Sequence, residues 1–160
     1  MSRKHLNLGV IQRILGLLLM LFSVTMLAPA GVSLLYADGQ FPLFLDAFTI
    51  LLFAGLLAWL PARHRHGDLR LRDGFLVVAL FWWVLGLAGA VAFVLADVPR
   101  MTITEAVFEA VSGFTTTGAT VLVGLDDLPP SILYYRQQIQ WLGGIGIVVL
   151  AVALLPLLGI

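Results

Sequence analysis

Cysteine is absent from this chain of 160 residues, and charge is scarce, at 11% of the sequence. With no thiol there is no disulfide scaffold, and the redox compartment leaves no mark. Soluble proteins carry about 25% charged residues, so 11% cannot cover the surface of a small water-soluble domain. Nine basic and nine acidic residues cancel to zero, which excludes a basic nucleic-acid module, and no nucleic acid is expected as a partner. Disorder is excluded from the other side, because 61% of the residues are hydrophobic and disordered chains are poor in them. Mean hydropathy of +1.04 agrees. The partner this composition requires is a lipid bilayer.

A spanning helix takes about 20 mostly apolar residues. Such runs lie at about Ile14 to Tyr36, uncharged; about Phe41 to Leu60, with Asp46 near its start; and about Gly74 to Ala96, uncharged, with Trp82-Trp83 near its middle. A fourth begins near Ile132 and continues to the last residue, with Arg136 one turn in. The expected fold is therefore all-α and integral to the membrane, with four transmembrane helices. Arg3, Lys4 and Arg13 precede the first span, and Arg63, Arg65, Arg70 and Arg72 lie between the second and third with only Asp68 and Asp73 as acids. By the positive-inside rule both segments are cytoplasmic, which places the amino terminus inside and the stretch between the third and fourth spans outside. Arg3-Lys4 and Ala28-Pro29-Ala30 imitate a cleavable leader, but the apolar run continues through Val32, Leu34 and Leu35, so no cleavage is expected. The chain divides into residues 1–73, two leading helices with basic segments, and residues 74–160, one helix–loop–helix unit.

Residues 97–131 are neither a span nor an ordinary hydrophilic loop. Proline ends the third helix at Asp97-Val98-Pro99. Thr102 followed by Glu105 fits a capping box. Ile103, Ala106, Val107, Ala110 and Val111 then recur at helical spacing, with a stop expected at Gly113. About ten residues at roughly 1.5 Å each reach half the hydrocarbon thickness, so this helix can enter a membrane without crossing it. Next comes Phe114-Thr115-Thr116-Thr117-Gly118-Ala119-Thr120. Its β-branched threonines favour an extended filter strand, and Gly118 permits a turn. Carbonyls aimed one way can replace the hydration shell of a potassium ion, and the carbonyl end of the short helix adds about half a negative charge. The residues alone leave a second reading open: an amphipathic helix on the outer surface followed by a Thr/Gly-rich loop. Glu105 and Glu109 share a face, either as a cation-concentrating mouth or as a solvated helix side.

Other features are weaker. His64 and His66 read as a solvated basic turn, since no third ligand is near. Gly143, Gly144 and Gly146, like Gly86, Gly89 and Ala90, suit close helix packing, and Trp82-Trp83 is expected to pack against neighbouring helices. Arg136 is expected at the outer boundary or beside Asp126 or Asp127. All three histidines lie on the cytoplasmic side and the acids cluster outside, so no triad or metal set assembles and no enzyme is expected.

The run Phe108 to Thr120 resembles the first pore loop of Trk-type potassium uptake proteins of the TrkH family, and Arg136-Gln137-Gln138-Ile139-Gln140-Trp141-Leu142-Gly143-Gly144-Ile145-Gly146 resembles the helix after it. The similarity covers essentially the whole chain. It implies a bacterial inner-membrane transporter in which four such repeats surround one pore. Potassium, the transported ion, would be held by backbone oxygens of Thr116 and Thr117 just ahead of filter glycine Gly118, with Thr115 a lesser candidate. It also implies a TrkA-type cytoplasmic nucleotide-binding regulatory subunit as partner, and a homodimer of the full-length protein. One repeat stands here where the family has four, so the chain is expected to be the amino-terminal third of such a transporter. The competing expectation is a non-conducting membrane fragment or scaffold.

Overall fold

The computed structural model describes residues 7–65 and 71–154. Arg3, Lys4, His66, Asp68 and Arg70 lie outside the described residues, as do the side chains of Arg72 and Asp73. The described residues are all-helical, with no β-strand among them.

Helices α1 (Leu8–Thr25) and α2 (Leu27–Tyr36) form one apolar rod of 29 residues broken at Met26. Pro29 explains the break. It has no N–H to offer the Thr25 carbonyl four residues back, and its ring crowds that carbonyl. The freed Thr25 oxygen accepts instead from Gln138 Nε2 at 2.8 Å, a side chain 113 residues further on. A backbone acceptor that would be costly in lipid is thereby satisfied.

A tight turn follows, with Ala37 at φ +53° and Gly39 at φ +78°, before α3 (Phe41–Trp59) returns. The two rods cross at glycines. A Cβ on Gly16 would stand 2.8 Å from the Trp59 backbone nitrogen, and one on Gly55 would stand 2.9 Å from the Gly16 oxygen. Helices α4 (Leu71–Leu95), α5 (Ile103–Phe114) and α6 (Pro130–Leu154) complete the fold. Among the described residues three helical segments are long and apolar enough to cross a membrane: Leu8–Tyr36, Phe41–Ala62 and Gly74–Leu95. Helix α6 has 25 residues and carries Arg136, Gln137, Gln138 and Gln140 in its first half.

The leading helices share a core with the rest of the chain. Phe22 of α1 meets Phe114 of α5 at a ring-centroid distance of 5.4 Å, and Tyr135 of α6 sits between Phe44 of α3 (5.7 Å) and Phe93 of α4 (5.2 Å). Tyr135 is fully buried, and its hydroxyl donates to the Gly89 carbonyl at 2.7 Å. The expected close packing at Gly86 and Gly89 is present: side chains there would press on Val111 and Phe114. Of the tryptophan pair, Trp82 packs against the core while Trp83 is 69% exposed, so only Trp82 behaves as expected. Trp83 faces outward with Leu35 and Leu57, as a lipid-facing surface allows.

Asp38, in the turn after α2, fixes the start of α6. Its carboxylate accepts from the Ser131 N–H at 2.9 Å, from the Gln40 N–H at 3.1 Å and from the Ser33 hydroxyl. Burial pushes this carboxyl up, but the hydrogen bonds from Ser131, Ser33 and Gln40 outweigh it and hold the group below the usual carboxylate value.

Candidate functional site

Helix α5 begins as expected. The Thr102 hydroxyl accepts from the Glu105 N–H at 3.3 Å, and the Glu105 carboxylate accepts from the Thr102 N–H at 2.8 Å, closing a capping box. Its 12 residues correspond to about 18 Å, a little over half of a hydrocarbon core.

The buried stripe of α5 differs from the expected one. Ile103 is 71% exposed, whereas Ala106, Glu109, Ala110, Gly113 and Phe114 are buried. Small residues win the inner face because α4 approaches closely through its own glycines. Gly113 is not the helix stop either. It lies inside the helix, where a Cβ would stand 2.6 Å from Ile139 Cδ1 of α6. The helix ends in a Schellman turn: the Thr116 N–H donates to the Gly113 carbonyl at 2.9 Å and the Thr117 N–H to the Ser112 carbonyl at 3.0 Å. That turn requires a left-handed residue, and Thr116 takes it at φ +56°. For a β-branched residue this region is strained by about 1–2 kcal/mol. The threonines are thus not one extended run. Thr115 and Thr116 close the helix, and irregular chain begins at Thr117.

From Thr117 the chain doubles back along α5. Gly118 turns it at φ +76°. The Ser112 hydroxyl donates to the Ala119 carbonyl at 2.6 Å, and Thr120 Oγ1 donates to Glu109 at 3.0 and 2.9 Å. The Val121 N–H donates to the same carboxylate at 3.1 Å. Residues 115–121 are exposed, and among the described residues no donor reaches the carbonyls of Thr116, Thr117 or Gly118. The candidate residues are therefore neighbours on one outward-facing loop, with backbone oxygens unclaimed by the protein.

Two side chains depart from their expected places. Glu109 is not at a solvated mouth but 2% exposed, and Arg136 is at neither the outer boundary nor Asp126 or Asp127 but 7% exposed. They pair, Arg136 Nε donating to Glu109 Oε1 at 2.5 Å. Neither charge could be buried alone at tolerable cost. The sequence did carry a signal, though not a pairing: acids in α5 and one lone base in α6, the two helices that flank one loop. Glu105 stays exposed in its cap. Gly143 behaves as a packing glycine, since a Cβ there would overlap the Phe114 carbonyl oxygen. His64 accepts from Arg63 Nε at 2.9 Å, an exposed contact, and no cluster of metal-ligating side chains forms among the described residues.

Three helical segments long and apolar enough to cross a membrane, with a half-length helix that caps, stops and turns back between two longer ones, define an all-helical membrane protein. Comparison with known proteins gives the family. A family model described as "TrkH: Cation transport protein" matches residues 41–160, and the chain belongs to that family. It is 60% identical over 148 residues to the Trk system potassium uptake protein TrkH of Vibrio parahaemolyticus, covering 92% of this chain and 30% of that protein. It is 57% identical to the corresponding protein of Halomonas elongata, covering 97% and 32%. The crystal structure of the potassium transporter TrkH from Vibrio parahaemolyticus matches with a TM-score of 0.90 at 59% identity, over 96% of this chain and 33% of that one. The chain thus spans about a third of the length of the relatives it matches.

Proposed function

We propose that this chain supplies two leading helices and one helix–pore loop–helix unit of a Trk-type potassium uptake transporter. In this reading α6 crosses the membrane as a fourth span, and α5 is the re-entrant pore helix. Potassium is the cargo, held by the backbone carbonyls of Thr116 and Thr117 ahead of Gly118. The observation that carries the reading is the loop of residues 116–118. Among the described residues its carbonyls have no donor, while the chain is fastened to α5 upstream by the turn onto Gly113 and Ser112 and downstream through the Ser112 hydroxyl and Glu109. Oxygens held in place but unclaimed are what a dehydrated cation needs. The names of the relatives, potassium uptake proteins, support the same cargo.

The family resemblance extends the proposal to the bacterial inner membrane, with the amino terminus cytoplasmic. It also extends it to a TrkA-type regulatory subunit and to a homodimer of the full-length protein. One loop offers too few oxygens to replace a hydration shell, so three more are required from the remainder of a longer transporter.

A chimera tests this: residues 1–160 replace the matching third of the Vibrio parahaemolyticus protein, and potassium and sodium uptake are measured in competition. Gly118→Ser is expected to lower the potassium-to-sodium ratio, because a side chain restricts the left-handed backbone that aims the carbonyls. An unchanged ratio at matched expression would show that the filter lies elsewhere.

A further inference from the structure

The Glu109–Arg136 pair has more contacts than joining two helices requires. One carboxylate, nearly sealed from solvent, collects the Arg136 Nε–H from α6, the Thr120 hydroxyl and the Val121 N–H. The Thr120 hydroxyl also accepts from the Leu122 N–H at 3.0 Å. All the loop donors lie just after Gly118, where the chain leaves the candidate filter. Immediately before it, the Schellman turn at Thr116 already fixes the backbone from the α5 side. Residues 117–119 touch α5 through Ser112, whose carbonyl accepts from the Thr117 N–H and whose hydroxyl donates to the Ala119 carbonyl, and beyond them the chain is fixed by a carboxylate whose own position is set by α6.

We propose that Glu109 and Thr120 are positioning residues for ion selectivity, with Arg136 locking the Glu109 carboxylate so that the downstream anchor cannot drift. This rests on the reading of residues 116–118 as the filter. The physical case is one of geometry. Discrimination between alkali cations depends on how the carbonyl oxygens are arranged, and upstream of Thr120 the backbone of residues 117–119 is held through the single residue Ser112. A charge-assisted set of hydrogen bonds is stronger than neutral ones. A purely structural ion pair between α5 and α6 would need neither Thr120 nor Val121.

The test uses the same chimera and compares Thr120→Val, which keeps the shape and removes the hydroxyl, with Thr120→Ser, which restores it. Thr120→Val is expected to lower the potassium-to-sodium uptake ratio roughly fivefold, the scale of one lost hydrogen bond, at unchanged amount in the membrane. Thr120→Ser is expected to return the ratio close to that of the parent. If Gly118→Ser lowers the ratio while Thr120→Val leaves it at the parent value, the filter stands and the positioning role is overturned. If Gly118→Ser also leaves it unchanged, the filter assignment falls, and the positioning role with it.

Discussion

Where α1 crosses α3, Gly16 and Gly55 bring two backbones together, and the polar side chain beside them, Gln12, stays exposed and makes a neutral hydrogen bond to the Ala58 carbonyl at 2.9 Å. Where α5 meets α6, Gly143 seats the Phe114 carbonyl in the same manner, yet further along the same crossing Glu109 and Arg136 are buried as a charged pair. Both are close helix crossings in an apolar protein. The difference follows from what each must hold. The first joins two rods whose backbone groups are largely satisfied within the helices. The second borders residues 117–124, non-helical chain that is tied down by donors and acceptors from outside itself. Polar burial appears where backbone regularity is given up.

The largest expected effect breaks the charged crossing. Glu109→Leu leaves Arg136 buried without its partner and should cost about 3–5 kcal/mol, read as thermal unfolding in detergent. Adding Arg136→Met should recover more than half of that loss; a double variant as unstable as the sum would show that the pair is not the cause. Next come the two glycine seams. Gly143→Ala should destabilise by about 3 kcal/mol and Gly16→Ala by about 2 kcal/mol, because the first meets a carbonyl oxygen that has nowhere to go. Equal costs would remove the distinction drawn between the crossings. Asp38→Ala, which removes the cap on α6, should cost about 1 kcal/mol at neutral pH. The folded carboxyl is held below its ordinary value. Its contribution is therefore fully present above the unfolded pKa and lost as pH falls through the folded one. The gap between parent and variant should close below about pH 4, and a gap that persists in acid would mean the carboxylate charge is not involved. Gly144→Ala, facing only Thr116 Cγ2 at 3.9 Å, should change stability by less than about 0.5 kcal/mol, which sharpens the contrast with its neighbour Gly143.

The helices were legible because their signals are local. Of the four apolar runs, the first three appear as segments able to cross a membrane, and Thr102 with Glu105 marked the start of α5. The end of α5 was not. Glycine is the ordinary residue for a left-handed stop, and Gly113 is present, but close packing on Ile139 claims it and a strained Thr116 takes the turn. The break at Met26 could have been read from Pro29, though not the partner it frees, since Gln138 lies on a distant helix. For the same reason the sequence offered Glu109 and Arg136 only as opposite charges in helices flanking one loop, since nothing in a spacing of 27 residues says that two side chains meet. The loop holding Thr116, Thr117 and Gly118 was readable as a motif, while the anchors around it became visible only in three dimensions.

The contact between the Phe114 carbonyl and Gly143 also has a mechanical meaning. Gly113 rests on Ile139 and Phe114 on Gly143, so α5 and α6 touch at two points one helical turn apart. With backbone pressed on backbone at one of them, there is no side chain to yield. A shift of α6 at this point would press on the carbonyl end of α5, with Thr116 two residues beyond Phe114. A push along α6 at Gly143 is therefore expected to reach Phe114, and through it the turn at Thr116, by backbone contact.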